Sequence, residues 1–482
     1  MFRHTAPYRG GRRHLAPAAL AAVAFLTVAA CSAPGSSAAN TSSGPGTSTA
    51  NTSSGASSSP ATESTSSVAS STTAAAAPTC GQAPVTLDAY FETGFPIYKA
   101  LTQEFTKQFP NVKWNIRYDQ FAALTSNAPR VLANDPPDLM RLPQVSDLAK
   151  DHLLMNLDPY AAAFGWDKWP ASQLQSMRVA KDGSRGSGPL YAMGLNYSMT
   201  GVFYNKDLAK KIGMKEPPAT LADLDTDMEK AKQAGIIPIQ QFNGGATGGL
   251  AFPLQNLMAA YGPPSAVNNW IWQKPGATID TPSNLKAATH LQDWIKKGYL
   301  ASDANAMDYA TMMSRFIAGK GLFMFNGDWE SGNLDKQMPG KVGFFLMPPL
   351  QAGGTQAAMS TPLTLGIGEG ASHADCAAFF LNWVATNKQA RTVDVKVGGS
   401  HPMGPADAYM PPIEAGTVTA STLAAGGTVA KDNGAMDFIA NATGSIYAKG
   451  WTPNLQELVG GKQTPKGMLQ AVQSEYASEV GH

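Results

Sequence analysis

Nothing between Ser32 and Thr79 can build a hydrophobic core. Of these 48 residues, 25 are Ser or Thr, Glu63 is the sole charge and Val68 the sole large aliphatic side chain. Such a stretch buries too little apolar surface to offset the entropy lost on ordering it. It reads as a flexible tether or a glycosylated stalk, with a random-coil reach of roughly 35–40 Å. Folding is thereby confined to the chain from about Pro84 onward, and what precedes the tether is a separate leader.

The leader has a positive start, Arg3, Arg9, Arg12 and Arg13, followed by an apolar run from Leu15 to Ala30. That run has the length of a signal-peptide core and is short of a membrane span. It ends in Val28-Ala29-Ala30-Cys31, which resembles the bacterial lipobox. The resemblance implies cleavage after residue 30, acylation of Cys31 and a lipid anchor in the outer face of the cytoplasmic membrane. A signal peptide with a chance cysteine, or a tail-less membrane anchor, is the alternative. Arg12-Arg13-His14-Leu15 resembles a twin-arginine signal, so both general and twin-arginine export stay open. The leader carries its four arginines away and no acid, leaving 32 Lys and Arg against 35 Asp and Glu, a net of −3. Neither that balance nor the full chain's +1 offers nucleic acid a basic face.

Two cysteines remain, Cys80 and Cys376. In an exported chain they are free to pair, tying the first strand to a late helix, or to stay as two buried thiols. No His/Cys spacing points to a metal, and no cofactor is expected. The 482 residues, 43% hydrophobic, suffice for two domains with cores of their own.

Periodicity gives the elements. Val85–Tyr90, Val112–Tyr118 and Asp138–Leu142 read as strands, and Leu101, Phe105 and Phe109 mark a helix over 99–109. Strand–helix–strand order at this spacing predicts βαβ units and a mostly parallel sheet. Further strands are expected at Gly201–Tyr204, Ile236–Ile239 and Gly321–Phe325. Helices are expected over 221–235, 285–297 and 377–385, and a last one beginning at Thr464-Pro465, where Pro sits at the first helical position.

Four segments then resemble one family. Tyr191-Ala192-Met193-Gly194-Leu195-Asn196-Tyr197-Ser198-Met199-Thr200-Gly201-Val202-Phe203-Tyr204-Asn205-Lys206-Asp207 is similar to the aromatic-Ala opening, irregular loop and Tyr-Asn-Lys strand end of extracellular solute-binding proteins of the maltose-binding type. Pro217-Pro218-Ala219-Thr220-Leu221 resembles their Pro-Pro-x-Thr-Trp helix start, with Leu in place of Trp. The stretch Arg315–Glu330, with Phe316, Gly319, Lys320, Gly327 and Trp329, resembles their Phe-x-x-Gly-Lys-x-Ala-Met-x-x-x-Gly-x-Trp pattern. Phe379-Phe380-Leu381-Asn382-Trp383 resembles a later Phe-Leu-x-Trp helix. The resemblance covers about Pro84 to Tyr476. It implies an α/β, two-lobed periplasmic-binding-protein-like fold (type II), with discontinuous lobes at 84–195 plus 363–402 and 196–362 plus 403–482. A hinge joins them and closes over the ligand.

Ligands of open α/β sheets sit at the carboxyl ends of strands. Trp329 is the leading candidate, since an indole face matches the C–H face of a sugar ring; a core role is the alternative. Asp328 and Asn326 flank it, although Asn326-Gly327 also suits a turn. Glu92 and Thr93 follow the first strand and Arg141 ends the third. Tyr197 and Ser198 lie where the lobes are crossed, and Asn243 follows the Ile236–Ile239 segment. Thr361, Ser400 and His401 are further candidates, and Trp270 and Trp272 form either a second stacking platform or local core.

The expected function is a monomeric, non-catalytic receptor that hands a mono- or oligosaccharide to an ABC importer permease. A secreted carbohydrate-active hydrolase is the first alternative, but it needs two placed carboxylates or a Ser/His/Asp set. There is no Gly-x-Ser-x-Gly elbow, and two of only seven histidines lie in the leader. The same fold binding a polyamine, peptide or anion is the second.

Overall fold

The computed structural model describes residues 77–245 and 247–481. The leader over 1–30, Cys31 and the tether as far as residue 76 lie outside the described residues.

Strand β1 (Val85–Glu92) runs parallel to β2 (Val112–Asp119), from Val85 opposite Val112 to Glu92 opposite Asp119. The helix Pro96–Gln108 connects them. Pro96 at its start has no N–H to leave unsatisfied, and Ile97, Leu101 and Phe105 turn one apolar stripe inward. Strand β3 (Leu139–Arg141) pairs in parallel with the other edge of β1. A small antiparallel ribbon follows, β4 (Arg178–Val179) with β5 (Arg185–Leu190).

The next strand, β6 (Met193–Asn205), has 13 residues, an extended length of about 43 Å. It pairs antiparallel with β7 (Phe323–Gly327), β8 (Val342–Phe345), β9 (Ala358–Gly366) and β10 (His401–Pro402). β9 also lies antiparallel to β3 and parallel to β11 (Ala435–Met436). The sheet is therefore mixed, and the parallel pairing expected from the βαβ spacing is limited to β1, β2 and β3 and the short β9–β11 pair. The antiparallel remainder arises because β6 and β9 are long connecting strands, not strands returned by a crossover helix. Ile236–Ile239 forms no strand. Ile239 makes only isolated bridges, to Leu300 and Phe323, because Pro238 brings no N–H to a ladder.

Buried apolar side chains fall into two clusters. One draws on Cys80 to Leu195 and on Leu363 to Met403. The other draws on Met199 to Met359 and on Val418 to Tyr476. A chain of this size exceeds what a single core organises well. The chain passes between clusters inside β6, inside β9 and after β10. Met193 and Leu195 belong to the first cluster, while Met199, Val202 and Phe203 belong to the second. The pairing of β6 with β9 shifts register between Gly194 and Tyr197, where the crossing occurs. At Gly194 a β-carbon would lie 2.2 Å from the Met403 sulfur, so no larger residue fits the close approach.

Caps fix the flanking helices. Thr220 and Asp223 form a reciprocal capping box at the start of Leu221–Gln233. Thr464 caps Pro465–Val480, whose Met468, Leu469, Val472 and Tyr476 are buried. The sulfurs of Cys80 and Cys376 are bonded, with Cα atoms 4.2 Å apart and a sequence separation of 296. The bridge fastens the start of the folded chain to the helix Ala374–Thr386. Closing so long a loop restricts the unfolded chain strongly, and a stabilisation of about 2–4 kcal/mol is expected. A Cys80→Ser, Cys376→Ser chain is expected to melt several degrees lower in calorimetry; an unchanged midpoint would show the bridge to be dispensable.

Candidate functional site

The parallel strands β1, β2 and β3 deliver Glu92, Asp119 and Arg141 to one end of the sheet. Arg141 Nε donates to Glu92 Oε2 at 3.2 Å, and both side chains are buried. Burial pushes the Glu92 carboxyl up, and the Arg141 guanidinium opposes that shift. A buried pair of this kind is weak evidence for stability but fixes two charged heads in place. Tyr98 is stacked on Phe91 with ring centroids 4.4 Å apart. Its buried hydroxyl has no partner among the described residues. Thr93 is exposed, beside the pair.

The second cluster presents a short turn, Asp328–Glu330, at the end of β7. Trp329 is only partly buried there. Its six-membered ring lies over Gly327, where an added β-carbon would fall 1.9 Å from the ring. Glycine is thus what lets the indole fold back along the strand end. Asn326-Gly327 belongs to β7 itself and is not a free turn.

Aromatic rings connect the two sides. Phe95, just after β1, is 5.9 Å from Trp329, which is 5.9 Å from Phe252. Phe252 meets Phe438 at 5.6 Å, and Phe438 meets Tyr447 at 5.4 Å. Phe121 opens the helix after β2 and packs on Phe438 and Tyr447, at 6.3 and 5.6 Å. Phe95 packs with the first core, while Phe121 reaches out to the second. Beside Phe121 and Tyr447 lies a cavity of about 240 Å³, lined also by Thr125, Ser126, Ser445 and Lys449.

Several candidates are engaged elsewhere. Asn243 is fully buried and its amide donates to Asn305 Oδ1 at 2.7 Å. The Tyr197 hydroxyl donates to the Ser172 carbonyl at 3.0 Å, and the Ser198 hydroxyl reaches Asn196 Oδ1 at 3.4 Å. Trp270 is core, packed on Tyr476 and Trp451. His401 is exposed on β10.

Thr361 serves a buried hub that the sequence reading did not anticipate. Asp437 accepts from the Thr361 hydroxyl at 2.7 Å, the Asn441 amide at 3.0 Å and the Trp272 indole at 3.2 Å. It also pairs with the Arg185 guanidinium. Burial raises the Asp437 carboxyl, but Arg185 and these hydrogen bonds outweigh it and hold the carboxyl below its ordinary value. Arg185 lies on β5 and Asp437 follows β11, so the hub ties the ribbon to the segment beyond the last crossing.

A second polar group sits beneath the Trp329 turn. Asp328 is 2% exposed and burial drives its carboxyl well up, against bonds from Ser400, Met199 and Trp329. Asp394 accepts from the Asn196 amide at 2.7 Å. Phe95, Phe121 and the Asp437 hub were missed by sequence reasoning. For the two phenylalanines a signal existed, namely aromatics placed two or three residues beyond a strand end.

With this geometry in hand, the chain belongs to the bacterial extracellular solute-binding protein family, whose pattern it matches over residues 89–391. It is 28% identical over 227 residues to a probable sugar-binding periplasmic protein of Rhizobium meliloti (strain 1021), covering 45% of this chain and 51% of that protein. The chain thus spans about half the length of the curated relatives it matches. Among solved structures it resembles a chitin oligosaccharide binding protein, with a TM-score of 0.67 and 19% identity over 83% of this chain and 100% of that one. It also resembles the maltose-bound MalE3 of T. maritima, with a TM-score of 0.66 and 16% identity over 82% and 99%. These likenesses establish the two-lobed periplasmic-binding-protein fold.

Burial pushes the Asp394 carboxyl up to about 8, against the Asn196 amide and the Arg391 guanidinium. A raised folded value means that the fold keeps a proton the unfolded chain releases. Its contribution therefore falls as pH climbs from about 4 toward 8. Asp394→Asn is expected to melt above the unsubstituted chain at pH 8, with the difference shrinking toward pH 5. A pH-independent difference in differential scanning calorimetry would contradict this.

Proposed function

We propose that this chain is the receptor of an ABC importer, held outside the cell, and that it binds a carbohydrate without altering it. The lobes at 84–195 plus 363–402 and 196–362 plus 403–482 move as bodies about β6 and β9, and the ligand is enclosed between them. The observation that carries this reading is Trp329. It is a partly exposed indole laid flat over Gly327, with Phe95 of the other core facing it. A sugar ring stacks on such a face while its hydroxyls turn to polar groups. Glu92 and Arg141 supply those groups, with Thr93 at the margin.

The curated relative named as sugar-binding and the solved proteins named for chitin oligosaccharide and maltose support a carbohydrate over a peptide, polyamine or anion. Acylation of Cys31 anchors the chain, and the Ser/Thr-rich tether lets the monomer deliver its cargo to the permease.

The test is a thermal-shift and calorimetric screen of the chain from Cys31 onward against mono- and oligosaccharides. At least one is expected to raise the melting temperature and to be recovered intact by chromatography. Hydrolysis of the bound sugar would favour the enzyme reading. Trp329→Ala is expected to weaken that binding by 100-fold or more, about 3 kcal/mol; undiminished affinity would remove Trp329 from the site.

A further inference from the structure

We propose that Tyr309, oriented by Glu330, is a positioning residue for Trp329, and that Trp329 therefore meets a ligand with its ring face alone. This rests on Trp329 being the stacking platform. Tyr309 opens the helix Tyr309–Ile317, capped by Asp308, whose side chain accepts from the Thr311 N–H at 2.8 Å. The Tyr309 hydroxyl donates to Glu330 Oε1 at 2.6 Å. It accepts from Trp329 Nε1 at 2.9 Å and from Asn326 Nδ2 at 3.2 Å. A phenol has one proton and a limited acceptor capacity, so with the proton committed to Glu330 the lone pairs are aimed at the indole and the amide. Asn333 donates to the other Glu330 oxygen at 2.8 Å. Phe242 closes the far side of the Tyr309 ring, edge-on, with centroids 5.4 Å apart.

The arrangement has a chemical consequence. An indole has a single donor, its N–H, and here it is satisfied inside the protein. Trp329 is thus held in one plane and has no edge donor left to select a hydroxyl. Its face accepts any pyranose with an apolar side, and discrimination between hydroxyl patterns falls to other groups.

The test needs no known ligand for its first arm. In the full chain labelled with 15N at tryptophan indoles, the Trp329 signal is assigned by its loss in Trp329→Phe. Tyr309→Phe is expected to shift that signal and to speed exchange of its proton with water by at least about tenfold, leaving the other indoles in place. An unmoved signal with unchanged exchange overturns the proposal. Should Tyr309→Phe not fold, Glu330→Gln reads the same network and is expected to give a smaller shift of the same signal; no shift there is equally fatal.

The second arm uses maltose and chitotriose as probes in calorimetry. Tyr309→Phe is expected to weaken binding about tenfold in the unsubstituted background and hardly at all when added to Trp329→Phe, which has a ring and no N–H. Equal losses in both backgrounds would mean that Tyr309 acts on the fold and not through Trp329. If Trp329→Phe and Trp329→Ala both leave affinity intact, the stacking reading fails, while the indole signal still decides the positioning.

Discussion

Both hydrophobic cores pack against the same strand, Met193–Asn205, and the rest of the molecule is arranged by that sharing. Its first half is paired to β9 and β10 and its second half to β7 and β8. A strand is stiff along its length but bends readily where its ladder is irregular. The register shift between Gly194 and Tyr197 puts that irregularity between the cores. The parallel strands of one half and the β7 turn of the other are thereby set facing each other, with side chains from both meeting between them.

What meets there is mostly aromatic. Six rings, from Phe95 through Trp329, Phe252, Phe438 and Tyr447 to Phe121, run from one core into the other and back. Charge is confined to partners: Glu92 with Arg141, and Asp437 with Arg185. Burial raises the proton affinity of Asp328, Asp394 and Glu92, the last two against a nearby guanidinium, whereas Asp437, held by Arg185 and several hydrogen bonds, stays below its ordinary value. Low local dielectric explains both outcomes, since it penalises every buried charge and strengthens the pairs and hydrogen bonds that offset the penalty.

Much of this was legible in the chain. Strands β1, β2 and β3 and the helices Pro96–Gln108, Leu221–Gln233 and Pro465–Val480 follow their periodicity and caps. Trp329 stood out as a candidate because its neighbours resemble a family pattern, and Glu92 and Arg141 because they close strands. Ile236–Ile239 misled because four apolar residues look alike in a strand and in a buried extended loop, and Pro238 decided the matter. Asn243 was a candidate because it follows the Ile236–Ile239 segment, and Thr361 was a further one, but polarity says nothing about which partner a side chain finds. Their partners, Asp437 and Asn305, lie 76 and 62 residues away in sequence.

The sequence by itself determined most of the helices and the parallel strands, that the chain is large enough for two cores, and which pattern it resembles. These are local or summed properties, set by side-chain volume, periodicity and backbone preference. Only the tertiary structure decided that β6 and β9 would be shared strands and that Phe95 would face Trp329. It alone brought Arg185 to Asp437 and set the Trp329 N–H on Tyr309. Each of those depends on close packing between residues far apart in the chain, and no local rule carries that information.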